Sequence, residues 1–342
     1  MLLELHVRNL ALIEKADVEF GEGLNILTGE TGAGKSIIIG SVTMALGGKA
    51  SRESIRHGAD HAYVELVFSV SGEDKIKALR DLEVEPAEDG LVIVSRKIMA
   101  SRSVSRINDE TVTTARLRQI TGLLLDIHGQ HEHQSLLYKS KHLEILDAYI
   151  KAGTQPVKQK IADGYQSYRA LVHRLEKFDM EFRRLEHFSA SGWDEAQFII
   201  STNPGQPMRP LKDVASGGEL SRIMLAIKTV LADSDDIPTL IFDEIDTGIS
   251  GRTAQKVSEK LSYIAGSHQV ICITHLPQIA AMADAHFEIS KSASNGSTLT
   301  TIRILDRQAS VEELARLLGG AEITDTVRKN AAEMKELADR TK

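Results

Sequence analysis

Gly29-Glu30-Thr31-Gly32-Ala33-Gly34-Lys35-Ser36 is a complete G-x-x-x-x-G-K-S stretch, and its surroundings decide the fold. Before it, Leu24-Asn25-Ile26-Leu27-Thr28 is a short apolar run that reads as a buried strand. After it, residues 36–46 read as a helix closed by Gly47-Gly48. Strand, glycine-rich loop and helix in that order make a phosphate cradle. Glycines let backbone N–H groups turn inward onto phosphate oxygens, and the helix N-terminus adds its partial positive charge. In such a loop Lys35 reaches the β- and γ-phosphates and Ser36 offers its hydroxyl to Mg²⁺. Residues 29–36 are therefore the candidate ATP-binding set.

Outward from this stretch the chain reads as α/β on both sides of a charged middle. In the first half, residues 2–7 and 16–20 alternate like strands, and 62–70 and 91–98 have β-type composition. Thr113 or Thr114 caps a short helix over 115–122. In the second half, strands are expected at 196–201, 239–242, 269–274, 285–290 and 298–305, with a helix over 218–231. The tail from 310 to 342 reads as helical, broken at Gly319-Gly320. Between the halves, residues 139–187 are strongly charged, and HRLEKFDMEFRRLEHF spaces its apolar residues by threes and fours, the pattern of a helical arm.

Thr239-Leu240-Ile241-Phe242-Asp243-Glu244 reads as a buried strand that delivers two carboxylates at its end. Asp243 would hold Mg²⁺ through water, and Glu244 would polarise the water that attacks the γ-phosphate. Ser216-Gly217-Gly218-Glu219-Leu220-Ser221 opens the helix over 218–231. Taken alone it is a helix cap with a glutamate in the first turn. Standing between the glycine-rich loop and the Asp-Glu strand, it resembles the signature segment of ABC-type ATPases.

These motifs, with His275 at the end of a later strand, resemble the ABC-ATPase set. Arg8-Asn9-Leu10 and the charged insert between the motifs narrow the resemblance to the SMC-like branch. Leu125-Asp126-Ile127-His128-Gly129-Gln130-His131-Glu132-His133-Gln134, and Ile200-Ser201-Thr202-Asn203-Pro204-Gly205 running on to Ala215-Ser216-Gly217-Gly218-Glu219-Leu220-Ser221-Arg222, resemble the bacterial RecN family of DNA-repair ATPases. The resemblance implies an ATPase head with an N-terminal lobe over 1–150 and a C-terminal lobe over 191–342 around a mostly parallel sheet. A helical arm stub, 151–190, would lie between them. It implies that Gln130 touches Mg²⁺ and the attacking water, that Asp246 acts across a head dimer, and that His275 senses the γ-phosphate. It implies that ATP is sandwiched between the glycine-rich loop of one head and Ser216-Gly217-Gly218-Glu219 of a second. RecN-type proteins carry a long antiparallel coiled coil between the halves. This chain has no room for one, so the arm is shortened, either naturally or by design.

Composition bounds the rest. A chain of 342 residues buries enough surface, roughly 70–75%, to need no disulfide or metal staple. A lone Cys272 suits a reducing compartment, and no apolar run approaches the roughly 18–20 residues of a membrane helix. The expectation is a cytoplasmic protein without a membrane partner. The net charge of −7 excludes a broadly basic surface but not a local DNA-binding patch, for which Arg96, Lys97, Arg102, Arg106, Arg52 and Arg56 are candidates. His128, His131 and His133 lack the flanking ligands of a zinc pattern. The rival readings are a transporter's nucleotide-binding subunit and an ATP-clamped scaffold with little turnover.

Overall fold

The computed structural model describes residues 1–29, 35–48, 52–87, 89–128, 178–189, 192–201, 207–211, 216–232, 237–294, 297–319 and 323–342. The chain divides into two compact units, residues 1–128 with 236–342, and residues 129–235. In chain order the first unit begins with β1 (Leu2–Leu10), β2 (Ile13–Glu19), β3 (Leu24–Gly29), α1 (Lys35–Ala45), β4 (His61–Ser69) and α2 (Glu73–Asp81). It continues with β5 (Leu91–Met99), β6 (Ser103–Ile107), β7 (Glu110–Val112), α3 (Thr114–Thr121) and β8 (Asp126–His128). The second unit holds β9 (Phe178–Ser189), β10 (Gly192–Ile200), β11 (Arg209–Pro210) and α4 (Gly217–Leu231). The first unit then resumes with β12 (Thr239–Phe242), α5 (Gly251–Ala265), β13 (Gln269–Ile273), α6 (Pro277–Ala280), β14 (Ala285–Ser294), β15 (Ser297–Leu305), α7 (Arg307–Gly319) and α8 (Asp325–Thr341).

Two sheets build the first unit. One is wholly antiparallel, in the order β2-β1-β4-β5-β6-β7. Its β1 buries Leu2, Leu5, Val7 and Leu10, and a register shift between Leu2 and Glu4 accommodates the uneven spacing. The other sheet has the order β15-β14-β3-β13-β12-β8 and is parallel except for β15. β3, β12 and β13 are buried at every position, as expected of parallel strands covered on both faces. Strands from both chain halves interleave in it, so the head is composite as expected.

β14 runs so close to the end of β3 that a Cβ at Gly29 would lie 2.3 Å from the Ile289 carbonyl oxygen. The same two strands share a buried polar chain. The Thr28 hydroxyl donates to the Phe287 carbonyl (3.3 Å) and lies 3.0 Å from His286 Nε2, while His286 Nδ1 lies 2.7 Å from the Ser310 hydroxyl of α7. Because Thr28 is a donor, His286 carries its proton on Nε2 and accepts from Ser310 at Nδ1. Burial lowers its pKa to about 4 and keeps it neutral.

One expectation is overturned. Residues 178–187 were expected to be helical, but they lie in β9, which pairs antiparallel with β10. The reason is visible in the register. Phe178, Met180 and Phe182 alternate with a period of two and stand opposite Ile200, Phe198 and Ala196. Pairing with a matching strand outweighs the weaker three- and four-residue spacing. The hairpin therefore spans the boundary expected at 190; the remainder of the expected arm, 151–177, lies outside the described residues.

The neutral state of His286 has a measurable consequence. Between its ordinary pKa of 6.5 and its folded value of about 4, the unfolded chain binds a proton that the folded chain does not, so stability falls as pH falls through this window. Urea titrations from pH 7 to pH 5 are expected to cost the wild type about 1 kcal/mol per pH unit more than His286→Gln. Parallel curves would refute the assignment.

Candidate functional site

The site is built from strand ends. Across the core sheet the register aligns His286, Ile26, Cys272, Phe242 and His128 in one row. The strands are parallel, so the residues after this row all emerge on one edge: Leu27-Thr28-Gly29 from β3, Ile273-Thr274-His275 from β13 and Asp243-Glu244 from β12. Ligands of parallel α/β sheets bind at such carboxyl edges.

The candidate ATP-binding loop begins here. Gly29 closes β3, and Lys35 and Ser36 open α1. Glu30, Thr31, Gly32, Ala33 and Gly34 lie outside the described residues, as does Gln130, just beyond the end of β8.

Asp243 is tied to the neighbouring strand end by its N–H, which donates to the His128 carbonyl (2.8 Å). The next residue, Glu244, has φ +55, a left-handed conformation that is costly for a side-chain-bearing residue. The chain then turns tightly, with the Thr247 N–H donating to the Glu244 carbonyl (3.0 Å). The turn carries Asp246 back into the protein, where it is 5% exposed.

Asp246 is the organising carboxylate of this edge. Its Oδ2 accepts from the Thr274 hydroxyl (2.7 Å) and the His275 N–H (2.9 Å), and lies 2.8 Å from His275 Nδ1. The Thr274 hydroxyl in turn accepts from the Leu276 N–H (3.0 Å). With Nδ1 facing a carboxylate, the imidazole is oriented, while the side chain as a whole is 58% exposed. Asp246, which the resemblance assigned to contacts across a dimer, is thus buried and bonded within its own chain. Its partnership with His275 carries no local sequence signal, because it depends on β12 and β13 being neighbours.

In the second unit, α4 begins with a capping box. The Ser216 side chain accepts from the Glu219 N–H (3.4 Å), and the Ser216 N–H donates to Glu219 Oε2 (2.9 Å). The Ser216 hydroxyl also donates to Glu219 Oε2 (3.0 Å), so the Glu219 carboxylate is turned back onto the cap. Gly217 and Gly218 form the first turn.

The DNA-contact candidates divide. Arg96 is buried and is no surface cation. Its Nη1 donates to the carbonyls of Met44 (2.7 Å) and Gly48 (2.6 Å), and its Nη2 to Ser103 Oγ (3.0 Å). The inward face of β5 at this position forces that role. Arg56 donates to the Leu12 carbonyl (3.1 Å), pinning the β1–β2 turn. Lys97, Arg102, Arg106 and Arg52 remain exposed. Cys272 is fully buried, and burial pushes its thiol well above the ordinary range, as suits an inert core residue. His128 is buried with its ring 5.1 Å from that of Phe242; His131 and His133 lie outside the described residues.

Residues 1–298 match the family described as the RecF/RecN/SMC N terminal domain. The DNA repair protein RecN of Halalkalibacterium halodurans is 27% identical over 558 residues, covering 99% of this chain and 99% of the relative. RecN of Bacillus subtilis is 26% identical over 573 residues, covering 100% of both. Both alignments far exceed the 342 residues of this chain, so more than a third of their positions stand opposite gaps in it. Among solved structures, the Smc head domain of Pyrococcus furiosus, with an extended coiled coil and bound to the C-terminal domain of ScpA, superposes with a TM-score of 0.61 at 15% identity. That match covers 93% of this chain and 99% of that one.

Removing the Asp246 carboxylate would strand a buried hydroxyl and a backbone N–H. Asp246→Ala is expected to lower unfolding stability by about 2–3 kcal/mol in urea. The His275 imidazole resonances should also move toward those of a solvent-exposed ring. An unchanged His275 spectrum would show that Asp246 does not orient it.

Proposed function

The chain belongs to the RecF/RecN/SMC N-terminal-domain family, and from that premise we propose that it is a Mg²⁺-dependent ATPase whose heads dimerise around ATP in the repair of DNA double-strand breaks. The family supports an ATPase head; the observation that carries the finer reading is the shared edge described above. Gly29 and the start of α1, Asp243-Glu244 and the Asp246-oriented His275 all leave parallel strands on that edge.

Each group has a chemical task there. Lys35 neutralises the β- and γ-phosphates, and the first-turn N–H groups of α1 add the helix dipole. The Ser36 hydroxyl, the Asp243 carboxylate and the Gln130 amide are oxygen donors, the set a hard cation such as Mg²⁺ prefers. Mg²⁺ when bound neutralises charge that develops on the transferred phosphoryl group. Glu244 is the base for the attacking water, and its left-handed backbone sets the direction of its carboxylate. His275 turns its Nε2 side toward the γ-phosphate. Ser216, Gly217 and Gly218 of a second copy close the pocket with the N-terminus of α4.

The DNA-repair role rests on the relatives, which are named DNA repair proteins. Lys97 on β5, Arg102 on its connection to β6 and Arg106 on β6, all exposed, are the phosphate contacts that fit it. The transporter reading has no observation in its favour. The scaffold reading differs only in turnover.

Lys35→Ala is expected to abolish binding of a fluorescent ATP analogue; normal affinity in that variant would overturn the phosphate-loop assignment. Glu244→Gln is expected to keep nucleotide affinity while turnover falls by at least about 100-fold. With ATP it should accumulate as a dimer in size-exclusion chromatography with light scattering. A monomer at saturating ATP would sink the sandwich, and an unaltered, very slow turnover would favour the scaffold.

A further inference from the structure

α1, the helix that follows the glycine-rich loop, ends in an unusual way. Its own last turn holds no basic residue. One carbonyl of that turn, Met44's, and the carbonyls of Gly47 and Gly48 just beyond the helix are taken instead by two arginines from elsewhere in the fold. Arg96, on β5, donates to Met44 and Gly48; Arg118, on α3, donates to the Gly47 carbonyl through both Nε (3.2 Å) and Nη2 (2.8 Å). Gly47 makes the approach possible. It has φ +98, and a Cβ there would meet the Arg118 side chain at 3.1 Å and Thr114 at 3.3 Å. The anchor is stiff, because Arg96 is 6% exposed and its third contact, Ser103 Oγ, belongs to β6.

We propose that Arg96 and Arg118 are positioning residues for the phosphate-binding segment: by fixing the C-terminal end of α1, they set the place of Lys35 and Ser36 at its other end. α1 is 11 residues long, so its ends are about 16 Å apart. A helix transmits displacement along its axis as a rod, because its backbone hydrogen bonds resist stretching. The stretch before its N-terminal end has glycine at 29, 32 and 34, the residue type that restricts the backbone least. The far end is held by two guanidinium groups with complementary charge for the helix C-terminus. Registration of α1 against the strand ends is thus set by the antiparallel sheet and α3, neither of which supplies a strand end to the site.

This inference rests on the ATPase reading. It also predicts a particular kinetic pattern. Phosphate binding through many N–H groups tolerates a small shift of α1, whereas in-line attack on the γ-phosphate does not.

Arg118 is the residue to change, since it is exposed and its loss leaves no buried charge. For Arg118→Met, kcat for ATP is expected to fall about tenfold while the Kd for a fluorescent ATP analogue rises less than about threefold. The melting temperature should stay within a few degrees of the wild type. Arg118→Lys, which restores one charge and a donor, should recover most of kcat. Unchanged kcat in Arg118→Met, or a loss that follows the melting temperature and is not recovered by lysine, overturns the proposal and leaves a purely structural cap. A wild type that neither binds nor hydrolyses ATP overturns the ATPase reading itself, and the positioning role with it.

Discussion

The structure depends on one constraint: parallel strands must emerge on the same side. β3 and β8 come from the first half of the chain, β12, β13 and β14 from the second, and their pairing fixes a common row from His286 to His128. Once that row is set, Gly29, the Asp-Glu pair and His275 leave neighbouring strands at the same edge. The short strand lengths follow from the same requirement. β12 has four residues and β13 five, just enough to cross a covered sheet before each chain must turn out as loop or helix. The site is therefore a property of sheet topology, and its residues gather there from positions hundreds of residues apart.

Much of this was legible in the residues. The G-x-x-x-x-G-K-S stretch marks where β3 ends, at Gly29, and where α1 begins, at Lys35. Thr239 to Phe242 reads as a buried strand because four apolar residues end abruptly in two acids. The Thr113 cap is visible because a threonine precedes a helical run, and its side chain does accept from the Arg116 N–H (3.3 Å). What escaped reading was tertiary. Over Phe178 to Phe182 the alternation is meaningful only opposite β10, and a local count of threes and fours hides it. Arg96 looks like its neighbour Lys97 in sequence; only the pleat of β5, which turns one inward and the other outward, separates a helix cap from a surface charge. α5 buries Ala254, Val257, Leu261 and Ile264 on one face, a three- and four-residue spacing that marks a helix but no chemistry.

The periphery of the head reaches the site through buried polar links. On one side α7 is joined to the end of β3 by the Ser310–His286–Thr28 chain. Burial would raise the carboxyl of Glu313 beside it, but the Arg316 guanidinium holds it below the usual range. On the other side Lys335 of α8 donates to the carbonyls of Ala281 and Ala283, which follow α6 and the His275 turn. Each link is fully hydrogen-bonded at low exposure, where an unmatched group is costly. The helical pair α7–α8 is thereby registered against both β3 and the histidine turn.

The same topology explains how this chain can lack so many positions of its relatives and still form the head. β8 ends at His128 and its sheet neighbour β12 begins at Thr239. Residues 129–235 between them form the second unit, and none of its described strands enters either sheet of the first. For the core sheet the segment between β8 and β12 acts as one long connection, whose entropic cost grows only with the logarithm of its length. Halving it changes the closure term by about 0.6 kcal/mol. Length in this part of the chain is therefore set by whatever the inserted unit must reach, and the head places almost no limit on it.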